Sequence, residues 1–242
     1  MAEGFQRKIK IIVNPNAGAG KGRRLFPLLR QKLLERNISF HLQFSESPEH
    51  VTFLSRQAQQ DGYQLIISGG GDGTIHRALQ PLVGSPEALG FLPLGRGNDL
   101  PKNLGIGEDL DRACDLLKNG RVEPMDVIQV NSEQYLAGVG GVGFGAEVNA
   151  LANRLARYLK GNSAYLFPAL FKSLLYRPER ISLSMDHDSR TGLAFMVAIG
   201  NTKSYGKGMQ ITPLAEPRDG LLDICWIDPV KKLRLYRFLP TV

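Results

Sequence analysis

A glycine-rich segment with one aspartate, Ser68-Gly-Gly-Gly-Asp-Gly-Thr74, stands between an apolar run and a helical pattern. Glycines in such a turn let backbone N–H groups approach phosphate oxygens closely, and a following helix N-terminus adds positive partial charge. Asp72 can hold a magnesium ion or accept a proton, and Thr74 can cap the helix or bind a phosphate. Taken alone, the segment is equally explained as a tight strand-to-helix turn with an N-cap aspartate.

A second loop of the same kind, Leu92-Pro-Leu-Gly-Arg-Gly-Asn-Asp99, follows the next apolar run. Loops at the carboxyl ends of neighbouring parallel strands meet in one crevice, so we expect Asp72 and Asp99 to lie together, beside Arg96. Carboxylates that hold magnesium next to a phosphate cradle are suited to phosphoryl transfer, in which positioning and charge neutralisation carry most of the catalysis. The pair of loops therefore predicts a phosphotransferase site.

Two other glycine-rich segments resemble nucleotide-binding motifs but fail to match them. Asn14–Gly22 contains a Gly-Lys pair, but a P-loop requires Ser or Thr after the lysine and a glycine where Pro15 stands. Gly138–Gly143 reads G-x-G-x-x-G, but no acidic residue occurs between Glu147 and Glu179 to hold a ribose. We interpret the Gly138–Gly143 glycines as permitting close packing of a strand against a helix.

The first half of the chain alternates strand and helix patterns. Apolar, β-rich runs predict strands at Lys8–Val13, His41–Phe44, Tyr63–Ser68 and Leu89–Leu94. Apolar residues at helical spacing predict helices at Arg23–Arg36, Pro48–Gln60, Thr74–Val83 and Asp109–Asn119. Strands that alternate with helices of this length predict an α/β domain whose parallel sheet is covered on both faces.

After about residue 125 the pattern changes to short strands separated by turns. Strands are expected at Val127–Val130, Tyr135–Val139, Ile181–Met185, Leu193–Ile199 and Leu221–Ile227, with a helical insertion at Ala146–Tyr176. This pattern predicts a mainly antiparallel second domain. We therefore expect an α/β domain over residues 1–125 and a β-rich domain over residues 126–242.

Composition places the 242-residue chain among ordinary globular proteins, with 43% hydrophobic and 22% charged residues. The net charge of +7 favours anionic partners such as nucleotide phosphates or an acidic membrane surface. Basic and aromatic residues do not interleave as in an RNA-binding sheet, so a nucleic-acid partner is not expected.

Cys114 and Cys225 lack partners at metal-ligand spacing, and no apolar run indicates a secretory signal or a membrane span. We expect free thiols in a reducing cytoplasm.

Five motifs in order resemble the signature of the diacylglycerol kinase catalytic superfamily, which includes bacterial lipid kinases and the sphingosine and ceramide kinases. They are Asn14-Pro-Asn-Ala-Gly18, Gly70-Gly-Asp-Gly-Thr74, Leu92-Pro-Leu-Gly-Arg-Gly-Asn-Asp99, Gly143-Phe-Gly-Ala146 and Asp219-Gly-Leu-Leu-Asp223. The resemblance implies an α/β nucleotide-binding domain followed by a β-sandwich-like domain, with the active site in the cleft between them. It also implies an ATP- and magnesium-dependent kinase that phosphorylates a hydroxyl of diacylglycerol or a related lipid.

The resemblance further implies roles for single residues. Asp72 and Asp99 are expected to organise the catalytic Mg²⁺ and its waters. Asp219, the carbonyl of Leu221 and an atom near Glu216 are expected to form a second, structural Mg²⁺ site, and the same turn is also explained as an ordinary hairpin. Contacts with ATP are expected from Asn14, Ser45, Gly70, Gly71, Asp72, Gly73, Thr74, Ile75, His76 and Arg96.

Two departures from the family pattern bear on activity. Arg96 stands where the bacterial lipid kinases usually have Thr, and its guanidinium could pair with a phosphate instead. The presumed catalytic base of the family lies well past the Asp219–Asp223 motif, and this sequence ends at Val242. We therefore expect this 242-residue chain to be a poor catalyst. We also expect an open sheet edge in the second domain, which could pair with another chain to form a homodimer.

Two alternative functions stay open. A nucleotide-binding pseudokinase or inactive fragment would bind ATP without forming product. An NAD kinase shares the Gly-Gly-Asp-Gly-Thr loop, but it also carries an Asn-Glu pair that this sequence lacks.

For the lipid kinase we expect a cytoplasmic protein that docks on the anionic inner membrane face through basic residues. Its lipid pocket would use the second domain and apolar stretches such as Tyr165–Tyr176, and the sequence does not name the lipid.

Overall fold

The computed structural model describes residues 8–155, 163–206 and 208–230. In the first half, the strands are β1 (Ile9–Val13), β2 (His41–Phe44), β3 (Leu65–Gly70) and β4 (Ala88–Pro93). The helices are α1 (Ala17–Glu35), α2 (Pro48–Gln60), α3 (Asp72–Leu79), α4 (Asp99–Asn103) and α5 (Leu110–Asn119). The strands are parallel and pair in the order β2-β1-β3-β4. The predicted α/β domain with a parallel sheet is confirmed.

Helices cover both faces of this sheet, because successive side chains of a strand point to opposite faces. Ile11 of β1 lies in one core with Leu33 of α1. The next residue, Ile12, lies in a second core with Leu54 of α2 and Ala78 of α3. All of these side chains are fully buried. The two layers of helices leave the carboxyl edge of the sheet as the place where the loops meet.

Helix α1 begins earlier than the expected Arg23, and its first turn is irregular. Gly18, Ala19 and Gly20 have left-handed backbone angles, with φ of 59°, 61° and 85°. A Cβ at Gly18 would overlap the carbonyl oxygen of Leu94, in the loop after β4. Glycine is therefore required there both for its φ and for the close approach. Apolar spacing alone could not indicate this turn.

The second half consists of short strands and two helices. The strands are β5 (Ile128–Val130), β6 (Gln134–Leu136), β7 (Val139–Gly143), β8 (Glu179–Ser184), β9 (Ser189–Ala194), β10 (Met196–Gly200), β11 (Ser204–Tyr205), β12 (Met209–Gln210) and β13 (Asp223–Ile227). The helices are α6 (Phe144–Leu155) and α7 (Ser163–Leu175). Every pairing among these strands is antiparallel, and one sheet has the order β13-β10-β7. The antiparallel second half is confirmed, while the boundary at residue 125 stays a prediction.

Two details of the second half differ from the sequence interpretation. The single strand expected at Leu193–Ile199 is broken at Phe195 into β9, which pairs with β8, and β10, which pairs with β7 and β13. The glycines of Gly138–Gly143 lie largely in strand β7 and approach another strand. A Cβ at Gly141 would overlap the carbonyl oxygen of Val197 in β10. The expected strand-against-helix packing was therefore wrong, because the close neighbour of this run is β10.

In the described part of the chain, no helix combines the length and apolar character needed to cross a membrane.

Both cysteines belong to the described residues, and they form no disulfide with each other there. Cys114 of α5 is buried in the core that also contains residues of α1 and the sheet, and this burial raises the pKa of its thiol to about 11. Expectations that concern residues 1–7, 156–162 and 231–242 lie outside the described residues.

Candidate active site

The loops after β3 and β4 are in direct backbone contact. The N–H groups of Leu94 and Gly95 both donate to the carbonyl oxygen of Gly70, at 3.0 and 3.1 Å. A Cβ at Gly95 would overlap the Cα of Gly71, so only glycine permits this approach. The structure thus brings the two aspartate-bearing loops together at the carboxyl edge of the sheet, as the strand-end rule predicts.

The carboxylates of Asp72 and Asp99 converge beside Gly97. A Cβ at Gly97 would lie 3.1 Å from Oδ2 of Asp72 and 3.3 Å from Oδ2 of Asp99. The backbone N–H of Leu100 donates to Oδ1 of Asp72 at 3.0 Å, and the N–H of Gly208 donates to Oδ1 of Asp99 at 2.9 Å. Each acid is the first residue of its helix, α3 or α4, where the helix dipole favours a negative charge. The arrangement presents two oriented carboxylates to one point.

Asn98 holds the second loop in shape from within the protein. It is fully buried and has a left-handed backbone with φ of 54°, which Asn tolerates better than most residues. Its Oδ1 accepts a hydrogen bond from the N–H of Gly95 at 2.9 Å. Its Nδ2 donates to the carbonyl of Gly95 at 3.2 Å and to Oε1 of Glu108 at 3.1 Å. This side chain therefore fixes the turn that carries Gly97 and Asp99.

The expected ATP contacts Asn14, Ser45 and Thr74 lie at the same edge of the sheet. The N–H of Asn14 donates to the carbonyl of Gly69 at 2.9 Å, and its Nδ2 donates to Oγ1 of Thr74 at 3.3 Å. Ser45 is buried just after β2, and its N–H donates to the carbonyl of Val13 at 2.9 Å. These three polar residues therefore lie along the carboxyl ends of β1, β2 and β3.

The glycines of the first loop serve different purposes. At Gly70, a Cβ would overlap the side chain of Thr74, so the glycine allows the loop to fold onto its own helix. Gly71 packs against the second loop, since a Cβ there would lie 3.0 Å from the Cα of Gly95. Gly73 is exposed, and a Cβ there would meet no protein atom within 4 Å. The space beside Gly73 is therefore open to a ligand.

Three other expected ATP residues have distinct surroundings. Ile75 is only 2% exposed and packs in a core with Leu100 and Ala137, so its side chain belongs to the protein interior. His76 is partly buried, and burial, with the nearby charge of Arg77, lowers the pKa of its imidazole. Arg96 is exposed at the tip of the second loop. Arg96 therefore lies three residues before Asp99 on the same loop. His76 lines the cavity that Asp72 and Asp99 also line.

The expected second metal site occupies the turn before β13. Oδ1 of Asp219 accepts a hydrogen bond from the N–H of Leu221 at 3.0 Å. The carboxylate of Glu216 forms an ion pair with Lys203 at 2.8 Å, so a metal there would need a backbone oxygen of this segment instead. Asp219 and Leu221 are thus brought together, whereas the side chain of Glu216 is engaged with a lysine.

Asp126 contributes another carboxylate to this turn, which sequence reasoning missed. Its Oδ2 accepts a hydrogen bond from the N–H of Gly220 at 2.8 Å, and its own N–H donates to the carbonyl of Pro217 at 2.9 Å. No motif near residue 126 could have indicated this contact. Across residues 8–155, 163–206 and 208–230, no three His, Cys, Asp or Glu side chains form a group that could hold a metal ion.

A cavity of about 220 Å³ opens beside the two aspartates. One wall comes from the first half of the chain and the other from the second half. The residues that line it are Asp72, Ile75, His76, Asp99, Leu100, Leu136, Ala137, Gly138, Val139, Thr202, Ser204, Tyr205 and Gly206. None of these described lining residues belongs to Tyr165–Tyr176, the apolar stretch that was expected to contribute to a lipid pocket.

Hydrogen bonds from α4 join the two walls of the cavity. Nδ2 of Asn103 donates to the carbonyl of Ser204 at 3.0 Å, and the N–H of Ser204 donates to Oδ1 of Asn103 at 3.1 Å. Sequence reasoning missed Asn103, Thr202 and Asn98. The Gly-Asn-Asp order before α4 was a usable signal for Asn98, because Asn adopts left-handed turns. The positions of Asn103 and Thr202 depend on contacts between distant segments.

Comparison with known proteins agrees with this architecture. Residues 8–130 match the diacylglycerol kinase catalytic domain, and residues 138–242 match the YegS C-terminal NAD kinase beta sandwich-like domain. The chain belongs to the diacylglycerol kinase catalytic-domain family. The family assignment confirms the expected order of a catalytic α/β domain followed by a β-sandwich-like domain, and it makes the protein a kinase.

Two curated relatives illustrate the membership in this kinase family. A Klebsiella pneumoniae protein named "Probable lipid kinase YegS-like" is 33% identical over 91% of this chain and 73% of its own length. The Mycobacterium tuberculosis "Diacylglycerol kinase" is 29% identical over 97% of this chain and 78% of its own length. The chain thus spans about three-quarters of the length of these family members.

The fold also matches a solved structure. The crystal structure of a diacylglycerol kinase from Bacillus anthracis superposes with a TM-score of 0.75, covering 100% of this chain and 80% of that chain. The two sequences are 21% identical, so the likeness concerns the fold.

Proposed function

We propose that the chain is an ATP- and magnesium-dependent lipid kinase that phosphorylates a hydroxyl of diacylglycerol or a related lipid. The observation that carries the proposal is the convergence of Asp72 and Asp99 beside Gly97. Both acids also line a cavity that both halves of the chain share. Membership of a family of lipid kinases supports the reaction class.

The two acids fit a catalytic Mg²⁺ by the chemistry of their donors. Mg²⁺ prefers oxygen ligands and is commonly held by one or two carboxylates together with substrate phosphates, so a larger cluster of acids is not required. Asp72 and Asp99 would hold the ion, each through the oxygen that faces Gly97. When bound, the ion would neutralise charge on the transferring phosphoryl group.

The first glycine loop would bind the phosphates of ATP. Gly71 and Gly73 bring the backbone close, the start of α3 supplies positive partial charge, and the space at Gly73 is open. The Asn14–Thr74 hydrogen bond keeps the loop against the end of β1. Arg96 is exposed nearby and would pair with a phosphate.

The turn at Asp219 would hold a structural Mg²⁺. Its donors are the Asp219 carboxylate, the Leu221 carbonyl and a backbone oxygen near Glu216, which are all oxygen ligands. Asp126, bonded to the same turn, adds a carboxylate within reach of the segment. In this role the ion would brace the strand β13 against the start of the second half.

We further propose that the protein docks peripherally on an anionic membrane from the cytoplasmic side, because its acceptor lipid resides there. The net charge of +7 supports attraction to such a surface. Helix α7 also exposes apolar side chains at helical spacing, with Phe167, Phe171 and Leu175 exposed by 51, 44 and 62%. Dimerisation through an open sheet edge stays a prediction.

The decisive experiment incubates the chain with labelled ATP, Mg²⁺ and a panel of acceptors in mixed micelles. The panel contains dioctanoylglycerol, ceramide, sphingosine and NAD. Label transferred to a lipid supports the proposal and names its class of acceptor. Label on NAD alone would assign the protein to the NAD kinases. Saturable ATP binding without transfer to any acceptor would assign it to the nucleotide-binding proteins without turnover.

A further inference from the structure

Thr202, in the second half of the chain, is a buried residue among those that line the cavity beside the aspartates. It follows β10, is only 2% exposed, and lines the cavity together with Asp72 and Asp99. Among the described residues, its Oγ1 has no hydrogen-bond partner. Its carbonyl, in contrast, accepts a hydrogen bond from Oγ1 of Thr212 at 2.7 Å, which fixes the backbone. Burying a hydroxyl without a hydrogen-bond partner costs free energy. Such a group in a native protein therefore needs an explanation, and a ligand atom as its partner would supply one.

The rest of the cavity is suited to an apolar molecule with few polar atoms. Leu136, Val139 and Leu100 line it, and Gly138 leaves room beside the hydroxyl, since a Cβ there would be 3.8 Å from Oγ1 of Thr202. The volume of about 220 Å³ lies below the roughly 300 Å³ at which pockets begin to enclose drug-sized ligands. The cavity is therefore of a size for the head of a lipid.

The wall from the first half of the chain restricts what Thr202 can bind. Asp72 and Asp99 are hydrogen-bond acceptors, so the hydroxyl of a lipid acceptor would be directed toward them. Further polar atoms in a diacylglycerol head are the two ester carbonyl oxygens, which accept hydrogen bonds and need a donor. Thr202 belongs to the wall from the second half of the chain, and its buried, unpaired hydroxyl can act as a donor.

We propose that the Thr202 hydroxyl donates a hydrogen bond to an ester carbonyl oxygen of the lipid acceptor and so orients its free hydroxyl toward Asp72 and Asp99. The proposal rests on the proposed lipid kinase function and names a positioning residue for its acceptor. Thr202 thereby becomes a determinant of specificity for acylglycerols over ether lipids, which lack the carbonyl.

Binding of two matched lipids tests the proposal independently of catalysis. Calorimetric titration in micelles compares dioctanoylglycerol with dioctylglycerol, its ether analogue, in wild type, T202V, T202S and T52V. Thr52 is a control because its hydroxyl donates to the carbonyl of Arg77, away from the cavity. We expect wild type, T202S and T52V to prefer the ester by about threefold to tenfold, the range of one neutral hydrogen bond, and T202V to show no preference.

A stability measurement separates this role from a structural one. Because Oγ1 makes no protein hydrogen bond, T202V should unfold at the wild-type temperature or above it. The proposal is overturned if T202V keeps the ester preference, or if wild type shows none or binds neither lipid. A wild type that binds the ester selectively but transfers no phosphoryl group contradicts the lipid kinase function and still supports the contact.

Discussion

The backbone N–H of Leu100 donates a hydrogen bond of 3.0 Å to Oδ1 of Asp72, so the second aspartate loop holds the acid of the first. The other oxygen of Asp72 is thereby left facing Gly97 and Asp99. A side chain fixed in this way needs little reorganisation when charge develops on a transferring phosphoryl group. The second loop therefore fixes the orientation of the carboxylate that the first loop carries.

Replacing Asp72 with Asn should reduce kcat for lipid phosphorylation by about 100-fold, because the amide lacks the charge that would hold the proposed Mg²⁺. Asn keeps the shape and can still accept from Leu100, so the fold should persist. Turnover is measured as lipid phosphate formed, and Asp186→Asn, an exposed site on a turn, serves as the control. Near-normal turnover in the Asp72 variant would remove its assigned role.

Replacing Gly97 with Ala should lower kcat by at least about tenfold with little loss of stability. The new Cβ would lie 3.1 and 3.3 Å from the two carboxylate oxygens, closer than most such contacts, and would push the acids apart. Gly192→Ala is the matched control, since its Cβ would meet its nearest neighbour, Trp226, at 3.7 Å. An active Gly97 variant would show that the acids need not converge here.

Replacing Asn98 with Ala should lower the free energy of unfolding by about 3 kcal/mol, from lost buried hydrogen bonds and left-handed backbone strain. Asn98→Gly loses the same hydrogen bonds but not the strain, so its loss should be smaller by about 1 kcal/mol. Urea denaturation of the three proteins measures both values. Equal stability of the two variants would show that the backbone angle of Asn98 carries no cost.

Stability should fall on acidification because of His76. Burial first, and then Arg77, lower the pKa of His76 in the folded state below its ordinary 6.5. The unfolded chain therefore binds the proton more readily, so this contribution is complete above pH 6.5 and is lost as the pH falls below that value. His76→Gln should remove part of the loss in free energy of unfolding between pH 7 and 5.5. Parallel profiles for both proteins would contradict this prediction.

Membrane docking should depend on both charge and α7. Sedimentation with vesicles should show binding that rises with the fraction of anionic lipid and falls with salt. Phe171→Ser with Leu175→Ser should weaken it by removing exposed apolar contacts, while Leu214→Ser, at a residue 82% exposed outside α7, should not. Binding that is indifferent to salt and lipid charge would contradict peripheral docking.

The sequence predicted the parallel sheet and the meeting of Asp72 with Asp99, because both follow from local patterns and the strand-end rule. It did not predict that Leu100 and Gly208 supply the N–H groups that hold these acids. Such contacts arise between segments far apart in the chain. The interior position of Ile75 was missed for a similar reason, since its partner Ala137 belongs to the second half.

The break at Phe195 shows a different limit of sequence patterns. Leu193–Ile199 is an uninterrupted apolar run, and periodicity gives no sign that it leaves one sheet for another. The N–H of Phe195 donates to the carbonyl of Ile227 at 2.8 Å, and its carbonyl accepts from Phe144 at 3.0 Å. Those partners come from β13 and α6, and they divide the run.

The hydrogen bond from Gly208 to Asp99 crosses from the second half of the chain to the first. Residues 1–125 contain both acids and the Gly70–Thr74 loop, yet the backbone N–H that donates to Asp99 comes from the loop between β11 and β12. The catalytic half is therefore not a transferable module. A chimera that takes its second half from another protein must offer a backbone N–H at this point, whatever side chains that half carries.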